Sequence, residues 1–345
     1  MKELTILVSA SGAPGTAALL RSLRENGERS VRLVGTDMSQ RSIGRHLCDA
    51  FHVVPAGSDP AFGDAMLEVC RSEGIDTVLP QSSFDLEGLA HARDRFDGEG
   101  IAVLVSSPEA IRRANDKAET YALLDRIGVR GPAWRRVVGG EALASAAREL
   151  GYPDEDVCMK PVFSSGSRGF RIISASADRR DQLLTNRPGV AEAIRLEELV
   201  ELLGDDHETE LLVMELARGP ERTIDGIARN GRILLGHPKT REAMRAGLAM
   251  YFETLDDPGL METAGRIVAE LDLDHFFNIQ LVGDAVIEIN PRISTIVYQE
   301  DLNLPYLGVK RALGEIGDDD LAALAGRMRA TRRALRYFDQ VEWDD

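Results

Sequence analysis

The segment Asn278–Ser294, NIQLVGDAVIEINPRIS, carries the residue types and spacing that metal-assisted phosphate chemistry needs. Two alternating runs flank Gly283-Asp284, a dipeptide that favours the turn of a β-hairpin. In the second run Glu288, Asn290 and Arg292 are two residues apart, so an extended chain directs all three to one face. A carboxylate and an amide oxygen suit Mg²⁺, and the guanidinium beside them suits phosphate or acyl phosphate oxygens. The plain alternative is an amphipathic hairpin with a solvated face.

The geometry of the turn decides whether Gln280 can join Glu288. With a regular two-residue turn Gln280 lies opposite Ile287 and points away from Glu288. A three-residue loop, or a β-bulge with the same effect on parity, places Gln280 opposite Glu288. We therefore predict that Gln280, Glu288 and Asn290 share one face. The opposite face is expected to pack the aliphatic residues Ile279, Leu281, Ile287 and Ile289.

Composition narrows the partners of the chain. Its 345 residues leave room for two or three domains, and its formal net charge of −16 speaks against a nucleic-acid partner, whose phosphates need a basic surface. No apolar run reaches membrane-spanning length, so we expect no membrane partner. Cys48, Cys70 and Cys158 have no metal-ligand spacing and are expected to be reduced thiols in a cytoplasmic protein. A homodimer is left open.

The lysines are few, because nearly all basic residues are arginines. They are Lys2, Lys117, Lys160, Lys239 and Lys310. A compact ammonium fits against phosphate oxygens where a planar guanidinium does not, so each retained lysine other than Lys2 invites a role.

The first third of the chain alternates short strands with helices, which predicts a parallel sheet covered on both faces. The strand Leu4–Val8 runs into the glycine-rich turn Ala10–Gly15, and Asp37 follows the next strand. Dinucleotide-binding domains open in the same way, but here alanine replaces the first glycine of their fingerprint. Ligands collect at the carboxyl ends of such strands, where Glu87 can face a small polar substrate.

Two features of the middle of the chain point to a nucleotide. A strand that ends at Lys160 is followed by the small-residue segment Ser164–Gly169 and a second strand, which predicts a flap whose amides can wrap phosphate oxygens. An ordinary hairpin turn is the alternative. The apolar strand Leu211–Met214 then emerges into a segment suited to reading an adenine edge, with Glu221 in reach of ribose hydroxyls.

A dense basic cluster follows in this acidic chain, made of His237, Lys239, Arg241 and Arg245. We predict that Arg241 and Arg245 bind the carboxylate substrate or the transferring phosphoryl group, since a guanidinium fork holds such anions through two hydrogen bonds. A solvated charged face is the alternative.

Together these segments resemble the ATP-grasp superfamily, in the branch of carbamoyl phosphate synthetase and the carboxylate–amine ligases. The matching pieces occur in the family's order: Asn115–Lys117, Met159–Pro161 with Ser164–Gly169, Met214-Glu215 with Gly219–Asp225, Asn278–Gln280 and Glu288–Arg292. The resemblance implies an α/β chain with an N-terminal Rossmann-like pre-ATP-grasp domain, followed by a two-lobed ATP-grasp domain of α+β type. The implied bounds are 1–107 for the first domain and 108–330 for the second, with a lid at about 150–215, a metal-bearing lobe at about 216–330 and a tail at 331–345.

The resemblance also implies a role for each matched position. The ATP phosphates would meet Lys117, Lys160 and the flap residues Ser165, Gly166 and Ser167. Adenine would meet Glu215, Leu216 and Ala217, and the ribose Glu221. Magnesium would meet Gln280, Glu288 and Asn290. Lys160 and Arg292 would be catalytic, and Arg292 would also contact the substrate. To these matched positions we add, from the residues themselves, Arg241 as a catalytic residue and Glu87, Arg241 and Arg245 as substrate-binding residues.

The function that the resemblance implies is an ATP- and Mg²⁺-dependent ligase acting on a small-molecule carboxylate and an amine. The carboxylate is activated as an acyl phosphate and joined to the amine, releasing ADP and phosphate. Alternatives are a carbamoyl-phosphate-synthetase-like phosphorylation of a small carboxylate or carbamate, a non-catalytic nucleotide-binding module, and a nicotinamide dehydrogenase. The non-catalytic alternative is disfavoured, because an inactive site has no reason to keep Lys117, Lys160, Glu288, Asn290 and Arg292. Gln280 stands where many ligases carry an acid. Residues 295–300 lack the glycines that are common at these positions in the family, so the acceptor is left open.

Overall fold

The computed structural model describes residues 2–162, 169–185, 193–204, 206–245, 248–294 and 302–344, without the side chains of residues 181, 183 and 185. The flap residues Ser165, Gly166 and Ser167 and the loop 295–300 lie outside these ranges, so their expected roles stay predictions. None of the helices in the described ranges is long and apolar enough to cross a membrane.

The front of the chain is a parallel α/β unit. Its elements are β1 (Leu4–Ser9), α1 (Thr16–Arg24), β2 (Val31–Asp37), α2 (Gly44–Leu47), β3 (Ala50–Val53), α3 (Phe62–Glu73), β4 (Thr77–Pro80), α4 (Ser83–Asp97) and β5 (Ala102–Val103). In the described ranges these strands form a five-stranded parallel sheet of order β3-β2-β1-β4-β5. Along β1, Leu7 packs into one buried cluster while Ile6 and Val8 pack into another, so both faces are covered. The predicted Rossmann-like opening is confirmed.

The glycine-rich turn after β1 is closed by the protein itself. The backbone N–H of Gly12 donates to Asp37 Oδ2 at 2.8 Å, and a Cβ at Gly12 would lie 2.8 Å from that oxygen. Asp37, the residue at the expected ribose position of a dinucleotide fold, is therefore engaged with its own loop.

The middle of the chain begins with two helices and continues as a second sheet. Its elements are α5 (Pro108–Asn115), α6 (Lys117–Arg126), β6 (Trp134–Val138), α7 (Gly140–Glu149), β7 (Val157–Pro161), β8 (Arg171–Ile173), α8 (Arg179–Thr185), β9 (Ala193–Ile194), α9 (Leu196–Leu203) and β10 (Glu210–Glu215). The described strands are ordered β6-β10-β7-β8-β9. Antiparallel pairing of β7 with β8 confirms the two strands of the predicted flap. Asp116 caps α6 by accepting from the backbone N–H groups of Ala118 and Glu119, which fixes where Lys117 begins the helix.

The last part contains the β-hairpin predicted in Asn278–Ser294, which we call the metal hairpin after the ligands expected on it. Its elements are β11 (Glu221–Arg229), β12 (Arg232–Arg241), β13 (Tyr251–Glu253), α10 (Pro258–Glu270), β14 (His275–Val282), β15 (Ala285–Asn290), α11 (Leu304–Ala312), α12 (Asp318–Ala323), a 3₁₀ turn (Leu324–Arg327) and β16 (Arg333–Leu335). The described strands β12-β11-β14-β15 form an antiparallel sheet, and β16 pairs with β13.

The two faces of this sheet differ in character. Ile224, Ile279, Leu281 and Ile289 point into a buried cluster that also contains residues of α10. Side chains of the opposite face are apolar near Phe276, where α11 and the front sheet cover them, and polar toward the other end of the strands. We call that polar end the active face; its members are Glu221, Thr223, Asp225, His237, Lys239, Arg241, Asn278, Gln280, Glu288 and Asn290, which the strand register brings side by side.

Candidate active site

A β-bulge aligns the three expected metal ligands. Val282 pairs with Ala285 and Leu281 with Val286, as a two-residue turn requires, but Gln280 pairs with Glu288. Ile287 is the extra residue, and it restores the parity that the sequence pattern demanded. Gln280, Glu288 and Asn290 therefore share a face, as predicted.

The expectation for Ile287 itself is wrong. The residue is only half-buried and does not join the aliphatic cluster of Ile279, Leu281 and Ile289. As the unpaired residue of the bulge it turns its backbone carbonyl toward Tyr121, whose hydroxyl donates to it at 2.9 Å.

Asn278 fixes the orientation of two of these ligands. Its Oδ1 accepts from Gln280 Nε2 at 2.9 Å and from Asn290 Nδ2 at 3.3 Å. Its own Nδ2 donates to Thr223 Oγ1 at 2.6 Å and to Asp225 Oδ1 at 2.8 Å. Because each amide commits its NH₂ group to Asn278, its carbonyl oxygen points away from that residue.

This donor set fits a hard cation. Glu288 supplies a carboxylate beside the amide oxygens of Gln280 and Asn290, and oxygen ligands of this kind suit Mg²⁺, which also binds nucleotide phosphates. A hydrogen-bonded partner behind each ligand is what orients metal sites in general. The structure thus supports Gln280, Glu288 and Asn290 as the residues that would hold the ion.

Positive groups from three parts of the chain surround Glu288. Burial lowers the pKa of Lys117, while the Glu288 carboxylate acts in the opposite direction. Burial likewise lowers the pKa of Arg292, against the fields of Glu288 and Asp225. The Arg292 Nε donates to Ser83 Oγ at 3.1 Å, so the start of helix α4 in the front unit helps to position it. With Lys160, described next, three cations lie in a desolvated region that holds one carboxylate. Such a site is suited to a polyanion.

Lys160 reaches this region from the second sheet. Its Nζ donates to Tyr121 Oη at 2.8 Å and to the carbonyl of Ile287 at 3.5 Å, and it lies 5.1 Å from the centre of the Tyr121 ring. Burial, followed by repulsion from Lys117, lowers the pKa of Lys160 to about 8, although Glu288 acts in the opposite direction. Lys160 is thereby brought together with the metal hairpin.

A cavity of about 850 Å³ opens beside the metal hairpin, between it, the front unit and the two middle helices. Lys117, Glu288 and Asn290 line it from one side, and Asp59 and Glu87 from the front unit. Glu87 is 66% exposed and lies 3.9 Å from His91 Nε2. Glu87, which we expect to face a small polar substrate, thus lines this cavity.

A smaller cavity of about 260 Å³ contains the expected adenine segment. Glu215, Leu216 and Ala217 line it where β10 ends, together with Arg130 and Asp284. The Glu215 carboxylate accepts from Arg130 Nη2 at 3.1 Å and from the backbone N–H of Ala133 at 3.2 Å, so its side chain is engaged within the protein. The backbone N–H and C=O groups of residues 215–217 are therefore the groups that can form hydrogen bonds with the edge of a base.

The basic cluster is only partly a surface feature. Lys239 is fully buried and pairs with Asp225, with its pKa lowered to about 8, mainly by burial. Arg241 Nε lies 3.4 Å from Glu221 Oε2, so the expected ribose ligand and the expected substrate ligand are neighbours. Arg245 is exposed, and its guanidinium lies over the ring of Phe338 at 4.7 Å.

Sequence reasoning missed two participants. Tyr121 bridges Lys160 and the bulge, but a tyrosine inside an apolar helix carries no sign of such a role. Asn278 lay within the singled-out hairpin, yet its part as the hub of the amide network depends on strand register. The register of these strands could be assigned only after the bulge at Ile287 had been located.

Two family models match parts of this chain. Residues 6–104 match the family model described as PylC-like, N-terminal domain, and residues 207–333 match the model described as ATP-grasp in the biosynthetic pathway with Ter operon. The arginine-specific carbamoyl phosphate synthase large chain of Bacillus subtilis is 26% identical over 255 residues, which are 69% of this chain and 22% of that protein. The chain therefore spans about a fifth of the length of this curated relative.

Solved structures share the fold. A biotin carboxylase from Campylobacter jejuni, in a β-γ-ATP complex, superposes with a TM-score of 0.63 at 18% identity, covering 91% of this chain and 71% of that one. An L-amino acid ligase from Bacillus licheniformis gives 0.62 at 16% identity, covering 96% and 78%. The chain therefore has the ATP-grasp fold, and its sequence is similar to an ATP-grasp family model over residues 207–333 and to carbamoyl phosphate synthase large chains.

Proposed function

We propose that this protein is an ATP-dependent ligase that activates a small carboxylate as its acyl phosphate and joins it to an amine, releasing ADP and phosphate. The observation that carries the proposal is the group of Lys117, Lys160 and Arg292 around Glu288, beside the amides of Gln280 and Asn290, whose NH₂ groups are both bound to Asn278. Phosphoryl transfer needs positioning and charge neutralisation more than covalent help from the protein, and this arrangement supplies both.

Each residue then has a defined task. Lys117 and Lys160 hold phosphate oxygens, and Arg292, braced by Ser83, balances charge on the acyl phosphate oxygens. Magnesium, held by Gln280, Glu288 and Asn290, would neutralise phosphate charge. The base is assigned to 215–217 and the ribose to Glu221.

We place the acceptor amine in the 850 Å³ cavity. Arg95 and Arg112, which line it, form ion pairs with Asp64, Glu109 and Glu119. Glu87 and Asp59 therefore give the front of the cavity its acidic character, which favours an ammonium group. We place the reaction in the cytoplasm, where ATP is supplied.

The test is ADP release measured against a panel of amino acids, supplied singly and in pairs. Wild-type protein should release ADP with at least one pair. Lys160→Ala should lose about 2–4 kcal/mol of transition-state stabilisation, as other removed preorganised donors do. Lys310→Ala is the matched control, because Lys310 is paired with Glu28 at 2.7 Å, and it should keep wild-type turnover.

The result that would contradict the assignment is turnover of Lys160→Ala within a factor of two of wild type. A second candidate, phosphorylation of a small carboxylate or carbamate, is favoured by the similarity to the carbamoyl phosphate synthase chain. Bicarbonate and carbamate in the same assay test it, since ADP release would then occur without an amine.

A further inference from the structure

The C-terminal tail extends the sheet that carries the active face. Strand β16 pairs with β13, and isolated bridges join β13 to β12 through Lys239–Thr254 and Glu242–Tyr251. Thr254 secures the tail, since its backbone N–H donates to the Arg332 carbonyl at 2.9 Å and its Oγ1 accepts from the Arg332 N–H at 3.0 Å. The tail is thus the outermost member of the same layer.

The register places Arg336 on the active face. The Phe252 ring lies 5.8 Å from Lys239 Nζ, so Phe252 is on that face. Ala334 is paired with Phe252 and packs in the same small cluster. Side chains alternate along a strand, so Arg336, two residues beyond Ala334, points the same way, and its N–H donates to the Met250 carbonyl at 2.7 Å.

The electrostatics agree with this placement. Burial lowers the pKa of Arg336, and the positive charge of Arg241 lowers it further. Arg241 also lowers the pKa of Lys239. Arg241 is therefore near both Lys239 and Arg336 on the face that the strand register gives them in common, and cations gathered on one half-buried face match an oxyanion ligand.

We propose that Arg336, supplied by the tail, is a binding residue of the active site and, together with Arg241, holds an oxyanion of the reaction. This inference rests on the proposed function, which supplies two such groups, the transferring phosphoryl group and the substrate carboxylate. Both present paired oxygens that accept the two parallel N–H hydrogen bonds of a guanidinium fork. The family-model match ends at residue 333, before Arg336.

The test uses full-length Arg336→Gln and Arg336→Lys, with Arg333→Gln as the matched control. Arg333 is on the same strand but alternates to the other face, where it pairs with Glu253 at 2.7 Å. Two quantities are measured by calorimetry in the presence of Mg²⁺: the affinity for AMP-PNP relative to ADP, and the affinity of the ADP complex for inorganic phosphate. Melting temperatures establish that each variant is folded, and the lysine variant serves if the glutamine variant is not.

ADP binding should stay within twofold of wild type in every variant. Phosphate binding should weaken at least tenfold in Arg336→Gln, be only partly restored in Arg336→Lys and stay unchanged in Arg333→Gln. A parallel loss of the preference for AMP-PNP identifies the oxyanion as the phosphoryl group; its retention identifies the carboxylate.

The inference is overturned if Arg336→Gln behaves as wild type in both measurements, if Arg333→Gln loses as much, or if wild type binds ADP but no phosphate. Failure of wild type to bind ADP at all would instead refute the proposed function.

Discussion

Lys160 should take up a proton when Mg·ATP binds. Burial and the charge of Lys117 lower the pKa of Lys160 from 10.5 to about 8 in the nucleotide-free protein. The Lys160 amine is therefore about half protonated at pH 8. Bound phosphate favours the charged form and raises the pKa again. If the pKa returns to its ordinary value, uptake should be about half a proton at pH 8 and close to zero at pH 6.5.

The sign of the pH effect follows from the same linkage. The protonated form binds phosphate, so affinity is fully present below pH 8 and is lost as the pH rises through the pKa of the free protein. Between pH 8 and pH 10 the dissociation constant should rise by about fortyfold, roughly 2 kcal/mol, if only Lys160 titrates.

Calorimetric titrations in buffers of different ionisation enthalpy measure this uptake directly. Lys160→Met should abolish it, and Lys310→Met, which removes a lysine paired with Glu28, should leave it unchanged. Lys117→Met separates the contribution of the second lysine, whose pKa is also lowered by burial. The reasoning is refuted if wild type takes up no proton at pH 8, or if the uptake persists in Lys160→Met.

Three further outcomes are expected. Glu288→Gln should weaken the Mg²⁺-dependent binding of ADP at least about tenfold, because the carboxylate of the metal site is lost. Calorimetry with and without Mg²⁺ measures this change, and an affinity equal to that of wild type would remove Glu288 from the site. Asn278→Leu should cost about 10–100-fold in metal affinity by releasing the amides of Gln280 and Asn290, measured by Mn²⁺ titration, and an unchanged affinity would show that the network is only structural. Arg241→Lys should fail to restore the kcat/KM lost in Arg241→Ala, since a single ammonium cannot replace the guanidinium fork, and full restoration would count against a bidentate anion site.

The order of elements and the residues of the metal hairpin were predictable from the sequence because both depend on local patterns. Alternation of strands and helices specifies a parallel sheet, and spacing by two specifies a shared face. The helix starts carry local signals of the same kind, since Pro108 presets the backbone at the start of α5 and Asp116 caps α6.

Long-range placement was not predictable. Nothing local to Arg336 shows that the tail returns to the sheet edge, because strand pairing across more than eighty residues depends on the whole fold. The burial of Lys239 and its pairing with Asp225 were equally hidden, since a basic cluster in sequence reads as a solvated face. The domain bounds proposed from the family resemblance remain predictions of the same kind.

The bulge at Ile287 offers a way to separate two roles of one hairpin. With the two-residue turn in place, deleting Ile287 would bring Glu288 opposite Gln280 by regular pairing, so the metal ligands would keep their face. The same deletion would remove the carbonyl that receives the Tyr121 hydroxyl and the Lys160 ammonium. A chain shortened by this single residue should keep its three expected metal ligands on one face yet lose the carbonyl that anchors Lys160, a separation of roles that no side-chain replacement at this position achieves.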